Sequence, residues 1–206
     1  MFEFFMKNKD NTDWSKYTIS LNQQIDDINY IKLILEFCNG GFFFGKALVI
    51  YPNILEHIYP GAIIVNSKLN EEFGELFCGY WSFGQDIFGN QFCFKKTTKE
   101  VILFNVEDAS ETIMAKDFQE WLFIVGDDYD YFAGYSYYNE WIQKHYLSTN
   151  QRLVPYKPFI IGGDYVISNF VASDFPRYIE YYAALAKHLH TIPDGTPVKI
   201  RYSFDN

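Results

Sequence analysis

The chain has 206 residues, of which 49% are apolar, 21% charged and 20% aromatic. That composition excludes a disordered chain, and the length suffices to bury about 70% of the unfolded surface without a disulfide or metal staple. With 17 Lys and Arg against 26 Asp and Glu, the net charge is −9, which disfavours nucleic-acid backbones as partners and favours basic ones.

The N-terminus, Met1-Phe2-Glu3-Phe4-Phe5-Met6-Lys7, lacks the apolar core and cleavage site of a secretion signal, and no run of about 18 apolar residues follows. Residues 1–20 are mixed and polar and are expected to form a loose lead-in. Ile25, Ile28, Ile31, Leu35 and Cys38 trace one helical face, with Asn22 as N-cap and Asn39-Gly40-Gly41 as the stop. The run from Phe42 to Pro52 predicts one strand, after which Pro52, Pro60 and Gly61 break the chain. Strands are predicted at 77–83, 91–94 and 101–105, joined by a Gly84–Asn90 turn and a polar connection at 95–100. Such short links imply antiparallel pairing.

Phe118, Trp121, Leu122 and Val125 predict a helix with Asp117 in its cap or first turn, interrupted at Gly126-Asp127-Asp128. A second helical stretch is expected from about Tyr129 to His145, then an irregular connection around Pro155 and Pro158. The close reads as a helix capped by Ser173 or Asp174, with Ile179, Tyr182, Ala183, Ala186 and Leu189 as its buried stripe. Val198, Ile200 and Tyr202 then alternate with Lys199 and Arg201 as a last strand. The expected fold is α+β: a mainly antiparallel sheet flanked by helices, in one domain.

Catalytic patterns are missing: there is no G-x-S-x-G, no phosphate-binding glycine loop and no H-E-x-x-H. Cys38, Cys78 and Cys93 form no C-x-x-C pair and read as small apolar residues in a reducing cytosol. His188 and His190, two apart at a helix end, cannot share a metal while helical. No cofactor and no metal are therefore expected.

Asp127, Asp128 and Asp130 form the densest acidic cluster, open to three readings: a solvated loop, a partner-contact patch or catalytic carboxylates. Glu71, Glu72 and Glu75 form a second such group. In the run Tyr129–Tyr138, helical geometry would put Tyr131, Tyr135 and Tyr138 on one face. That face would serve packing, protein recognition or sugar stacking.

Three segments in collinear order resemble the SUKH superfamily, which includes a fungal cell-wall-synthesis regulator and many bacterial toxin-immunity proteins. They are the helix end Tyr30–Gly41, which closes on Asn39-Gly40-Gly41 and resembles the family's Phe-x-x-x-Asn-Gly-Gly pattern, the turn Asp86-Ile87-Phe88-Gly89-Asn90, and Phe118-Gln119-Glu120-Trp121-Leu122. The Leu-Pro pair that usually opens the family's first helix is replaced by Asp26-Asp27-Ile28-Asn29. The resemblance implies a SUKH-like core over about 22–125, a C-terminal extension over about 126–206, and Gly41 and Gly89 as backbone devices. It further implies a cytoplasmic, non-enzymatic immunity protein that neutralises a cognate toxin, a basic nuclease by the charge argument. Nucleic acid and membrane are not expected partners, and both monomer and dimer fit. The other functional readings are a regulatory or scaffold protein binding host proteins, and an enzyme or sugar-binding module.

Overall fold

The computed structural model describes residues 1–21, 25–54, 59–193 and 195–197. The Asn22 cap and the last strand at 198–202 lie outside them. A six-stranded antiparallel sheet is built from β1 (Gly41–Phe43), β2 (Leu48–Ile50), β3 (Tyr80–Gln85), β4 (Gln91–Lys95), β5 (Val101–Phe104) and β6 (Glu111–Ala115), in chain order. Helices cover both of its faces, as the α+β expectation requires.

Alternate side chains enter different cores, because successive residues of a strand point to opposite faces. Phe43, Leu48, Ile50, Phe83, Phe92, Phe94 and Val101 meet α1 (Phe2–Lys7), α2 (Ile28–Lys32) and α4 (Phe118–Asp127). Phe42, Val49, Tyr51, Cys93, Ile102 and Phe104 meet α3 (Ala62–Phe73) and α7 (Arg177–Leu189). Burial on both faces explains the unbroken apolar runs in these strands. Trp121 anchors the first core, with its ring centroid 4.9 Å from Phe83, 5.1 Å from Phe92 and 5.3 Å from Phe118.

Polar side chains fix the helices. Asp27 Oδ1 accepts from the backbone N–H groups of Asn29 and Tyr30, both at 2.9 Å, while its Oδ2 accepts from Phe118 N at 3.0 Å. One carboxylate thus caps α2 and satisfies the first free N–H of α4. Asp117 caps α4 through Glu120 N at 2.8 Å. Buried Asn66 locks α3 to β3 by donating to Ser82 O at 2.7 Å and accepting from Ser82 N at 2.8 Å.

Several sequence expectations need correction. Residues 1–20 are no loose lead-in, since Phe5 of α1 is fully buried and Trp14 packs in the second core. Beyond β1, the N-terminal segment pairs with the sheet: Lys9 bridges to Phe43 and Asp10 N donates to Phe42 O at 2.9 Å. The first helix buries Tyr30, Leu33 and Ile34, leaving Ile28 71% exposed. Tyr30, Leu33 and Ile34 stand at i, i+3 and i+4, so the buried face is a second regular stripe beside the expected one, and a π-helical turn over Leu33–Phe37, where Cys38 N donates to Leu33 O, follows it. At its end Gly40, with φ +77°, takes the left-handed conformation, where a Cβ would lie 2.5 Å from Ile50 O, and Gly41 also has a positive φ, +156°. The run 42–52 is a hairpin of two strands rather than one strand. Helix α3 and strand β6 were not anticipated.

The C-terminal part adds α5 (Tyr129–Ala133), α6 (Tyr135–Ile142) and a second two-stranded sheet, β7 (Gln151–Pro155) with β8 (Phe170–Asp174). Strands therefore replace part of the irregular stretch, and Ser173 and Asp174 belong to β8 rather than to a cap. Leu153 N donates to Ile87 O at 2.9 Å, tying this hairpin to the β3–β4 turn. Around it Ile87 and Phe88 pack with Trp141, Leu147, Leu153 and Phe170 in a third cluster. Helix α7 follows its expected stripe, with Ile179, Tyr182, Ala183 and Ala186 buried and Leu189 at the margin. Among the described residues no helix is long and apolar enough to cross a membrane.

Candidate functional site

The acidic segment after α4 is exposed, and two of its three carboxylates also serve the backbone. Helix α4 runs through Asp127, and the break falls at Asp128. Asp128 Oδ1 accepts from Tyr131 N at 3.0 Å, capping α5. Asp130 accepts from Ser136 N at 2.6 Å and from Ser136 Oγ at 2.9 Å, holding the junction between α5 and α6. Asp127, Asp128 and Asp130 form no ion pair among the described residues.

The tyrosine face breaks up. The helix stops at Gly134, so Tyr131 lies on α5 while Tyr135 and Tyr138 lie on α6. Tyr131 is 78% exposed, while Tyr135 and Tyr138 are half-buried against the first core. The surface here is an acidic corner with one projecting ring, not a stripe of three.

Glu71, Glu72 and Glu75 sit at the end of α3 and just beyond it, on the other side of the sheet. Lys68 reaches Glu72 at 2.7 Å and Glu180 of α7 at 2.9 Å, with Glu71 at 3.8 Å. This group is partly neutralised and does not join the first cluster. Among the described residues no three acidic, His or Cys groups converge as metal ligands.

Sequence reasoning missed a polar interior and a cleft beside it. Arg152 of β7 is fully buried. Its Nη1 donates to Gln151 O at 2.6 Å, and the Gln85 amide oxygen, turned toward it, accepts from Nε and Nη2 at 3.0 and 3.2 Å. Nearby, buried Asp86 organises the turn singled out from the sequence. Its carboxylate accepts from Phe88 N, Asn90 N and Asn90 Nδ2, each at 2.9 Å, and Gly89 has φ +90° as anticipated. Desolvation still pushes the Asp86 pKa up to about 7, against the pull of those donors and of Arg152.

Outside this turn lies a cleft of about 300 Å³ lined by Phe88, Asn90, Asn105, Glu107, Ile160 and Tyr182, with Phe159 and Tyr165 at its side. It is assembled from the β3–β4 turn, the β5–β6 connection, the segment after β7, and α7. Asn90 Oδ1 accepts from Val106 N at 3.3 Å, and Tyr182 Oη donates to Phe88 O at 3.0 Å. Phe159 and Tyr165 stack with centroids 3.7 Å apart. Glu107 is 4% exposed; its Oε2 accepts from Ile160 N at 2.8 Å, and its Oε1 is sealed from solvent without a partner. Burial raises the Glu107 pKa above the usual carboxylate value, against the pull of the Ile160 and Phe159 backbone N–H groups. Among the described residues the cleft is lined by aromatic rings, two amide side chains, Ile160 and Glu107.

No family model matches the chain, and no curated protein matches it. The crystal structure of Atu4351 from Agrobacterium tumefaciens is similar, with a TM-score of 0.59 over 89% of this chain and 88% of that one. At 13% identity the likeness shows a shared fold.

Proposed function

We propose that this chain is an immunity-type inhibitor of the SUKH kind. It holds a cognate, basic bacterial toxin in the cytoplasm and covers its active surface, without catalysing a reaction. The observation that carries this reading is the corner formed by Asp127, Asp128 and Asp130, exposed and unpaired with any described Lys or Arg, beside the projecting Tyr131. Carboxylates left without counter-ions are available to cations of a partner, and an exposed tyrosine supplies rigid contact area at low entropic cost. A nuclease carries such cations because it must hold phosphates. The net charge of −9 adds long-range attraction.

The test is to identify the gene beside this one and, if it encodes a toxin-like protein, to co-express the two. A tight co-purifying complex, with nuclease activity suppressed at stoichiometric ratio, is the expected outcome. A toxin that stays free and active in the presence of excess folded protein overturns the reading.

A further inference from the structure

We propose that the outer edge of β6 pairs with β6 of a second copy of this chain. The inference stands apart from the acidic corner, and its test needs no toxin.

The register of the sheet decides which main-chain groups of β6 are free. Asn105 N donates to Ser110 O at 2.9 Å, so these two residues are a hydrogen-bonded pair. Bonded and non-bonded pairs alternate along an antiparallel ladder. Leu103 and Thr112 are therefore bonded, whereas the N–H and C=O groups of Glu111, opposite Phe104, and of Ile113, opposite Ile102, point outward. Among the described residues these outward groups have no hydrogen-bond partner, and Glu111 meets Tyr80 and Lys95 through its carboxylate alone. The free stretch is closed at both ends. Ala109 before it has a positive φ, +56°, and Met114 after it is the extra residue of a bulge.

This short edge fits its own copy. A dyad normal to the sheet keeps each face on its own side, so residues that face each other across it must share a face. All the outward groups of both copies are satisfied when Glu111 faces Ile113 of the copy and Thr112 faces Thr112. Thr–Thr is a favourable cross-strand pair. Glu111 brings no free charge to the contact, because Lys95 lies 2.7 Å from its carboxylate and Tyr80 Oη donates to it. Ile113, 58% exposed at the rim of the second core, gains cover from the copy. On the opposite face both copies place α4 on the same side, where Phe123, 49% exposed, borders a groove with Lys116, Gln119 and Glu120 and is a second apolar side chain available to the contact.

The usual defences of an exposed edge, a proline or an unpaired charge, are missing from Glu111–Met114. A foreign strand would find the same hydrogen bonds. The order Glu-Thr-Ile, which pairs with itself in one register, and the neutralised carboxylate favour the copy.

Sedimentation velocity of the full chain from about 1 µM to about 1 mM is the test. A reversible monomer–dimer equilibrium is expected, weak because the interface is small, with a Kd on the order of 100 µM. Each copy carries a net charge of −9, so added salt should tighten the dimer, whereas it would loosen a basic partner held at the acidic corner. Thr112→Lys, at an exposed side chain, sets like charges opposite each other and should weaken the dimer at least about tenfold. Ile113→Pro removes an outward donor while sparing the bonds to β5 and should give a similar loss. A chain that stays monomeric throughout, or a dimer that the folded Thr112→Lys and Ile113→Pro proteins form with parent affinity, overturns the proposal.

Discussion

Asp86→Asn should change how the stability of this protein depends on pH. Burial lifts the Asp86 pKa from 3.8 to about 7, because removing the charge from water outweighs three N–H donors and the buried Arg152. The folded chain therefore keeps this proton to higher pH than the unfolded chain. Between those two values the native state binds more protons, so stability is greatest at the acid end and falls as pH rises. At about 1.4 kcal/mol per pH unit, the loss approaches about 4 kcal/mol near pH 7 and then levels off. The isoelectric point of about 4.9 limits solubility at the acid end, which leaves the range from about pH 5.5 to 8. About 2 kcal/mol of the loss falls within it. Urea unfolding followed by tryptophan fluorescence, at several pH values for both proteins, measures the effect. The new Nδ2 would face Asn90 Nδ2 and lower the Asn variant's whole curve, but that offset does not vary with pH. The raised pKa of Glu107 acts on both proteins and cancels. The expected result is that Asp86→Asn gains about 2 kcal/mol relative to the parent between pH 5.5 and 8. Parallel curves would refute the claim that burial dominates at Asp86.

Three further outcomes are expected. Asp27→Ala removes the cap of α2 and the acceptor for Phe118 N together, and should lower the unfolding free energy by about 2–4 kcal/mol, read from the urea midpoint. Asp127→Lys leaves the caps at Asp128 and Asp130 in place, so the fold should be unchanged while association with a basic partner slows about tenfold at low salt; stopped-flow rates that ignore both the substitution and ionic strength would contradict an electrostatic interface. Arg152→Met keeps the volume but removes the charge that restrains Asp86, so the decline of stability should extend to higher pH than in the parent, measured by the same urea series.

The elements that could be read from the sequence are those with one wet face or a strong terminal signal. Helix α7 shows its stripe because its other side meets water, and α4 is announced by Asp117 and the spacing of Phe118, Trp121, Leu122 and Val125. Strands β3 to β5 stand out through aromatic and β-branched residues between turns. The hairpin of β1 and β2 was hidden because both faces are buried, so Phe42 to Pro52 shows no alternation, and its turn carries a positive φ at Phe44 as well as Gly45. Helix α3 was hidden because it places the polar Asn66 on its core side. In α2 two stripes compete at helical spacing, and the one with Tyr30, Leu33 and Ile34 is buried because Tyr30 packs on Phe83, Phe94 and Phe118, which local spacing does not reveal. The exposure of Asp127, Asp128 and Asp130 was legible from local composition. The cleft was not, since Phe88, Glu107, Tyr165 and Tyr182 are far apart in the chain and only the packing of β7, β8 and α7 brings them together.

The two margins of the main sheet are unlike. The N-terminal segment already occupies the margin at β1, whereas β6 has no strand on its outer side among the described residues. Among the described residues, a further strand can therefore join the main sheet at one end only. Two copies of the chain could meet β6 to β6 across a two-fold axis and stop there, because head-to-tail growth into a fibre needs a second open margin that this fold has filled.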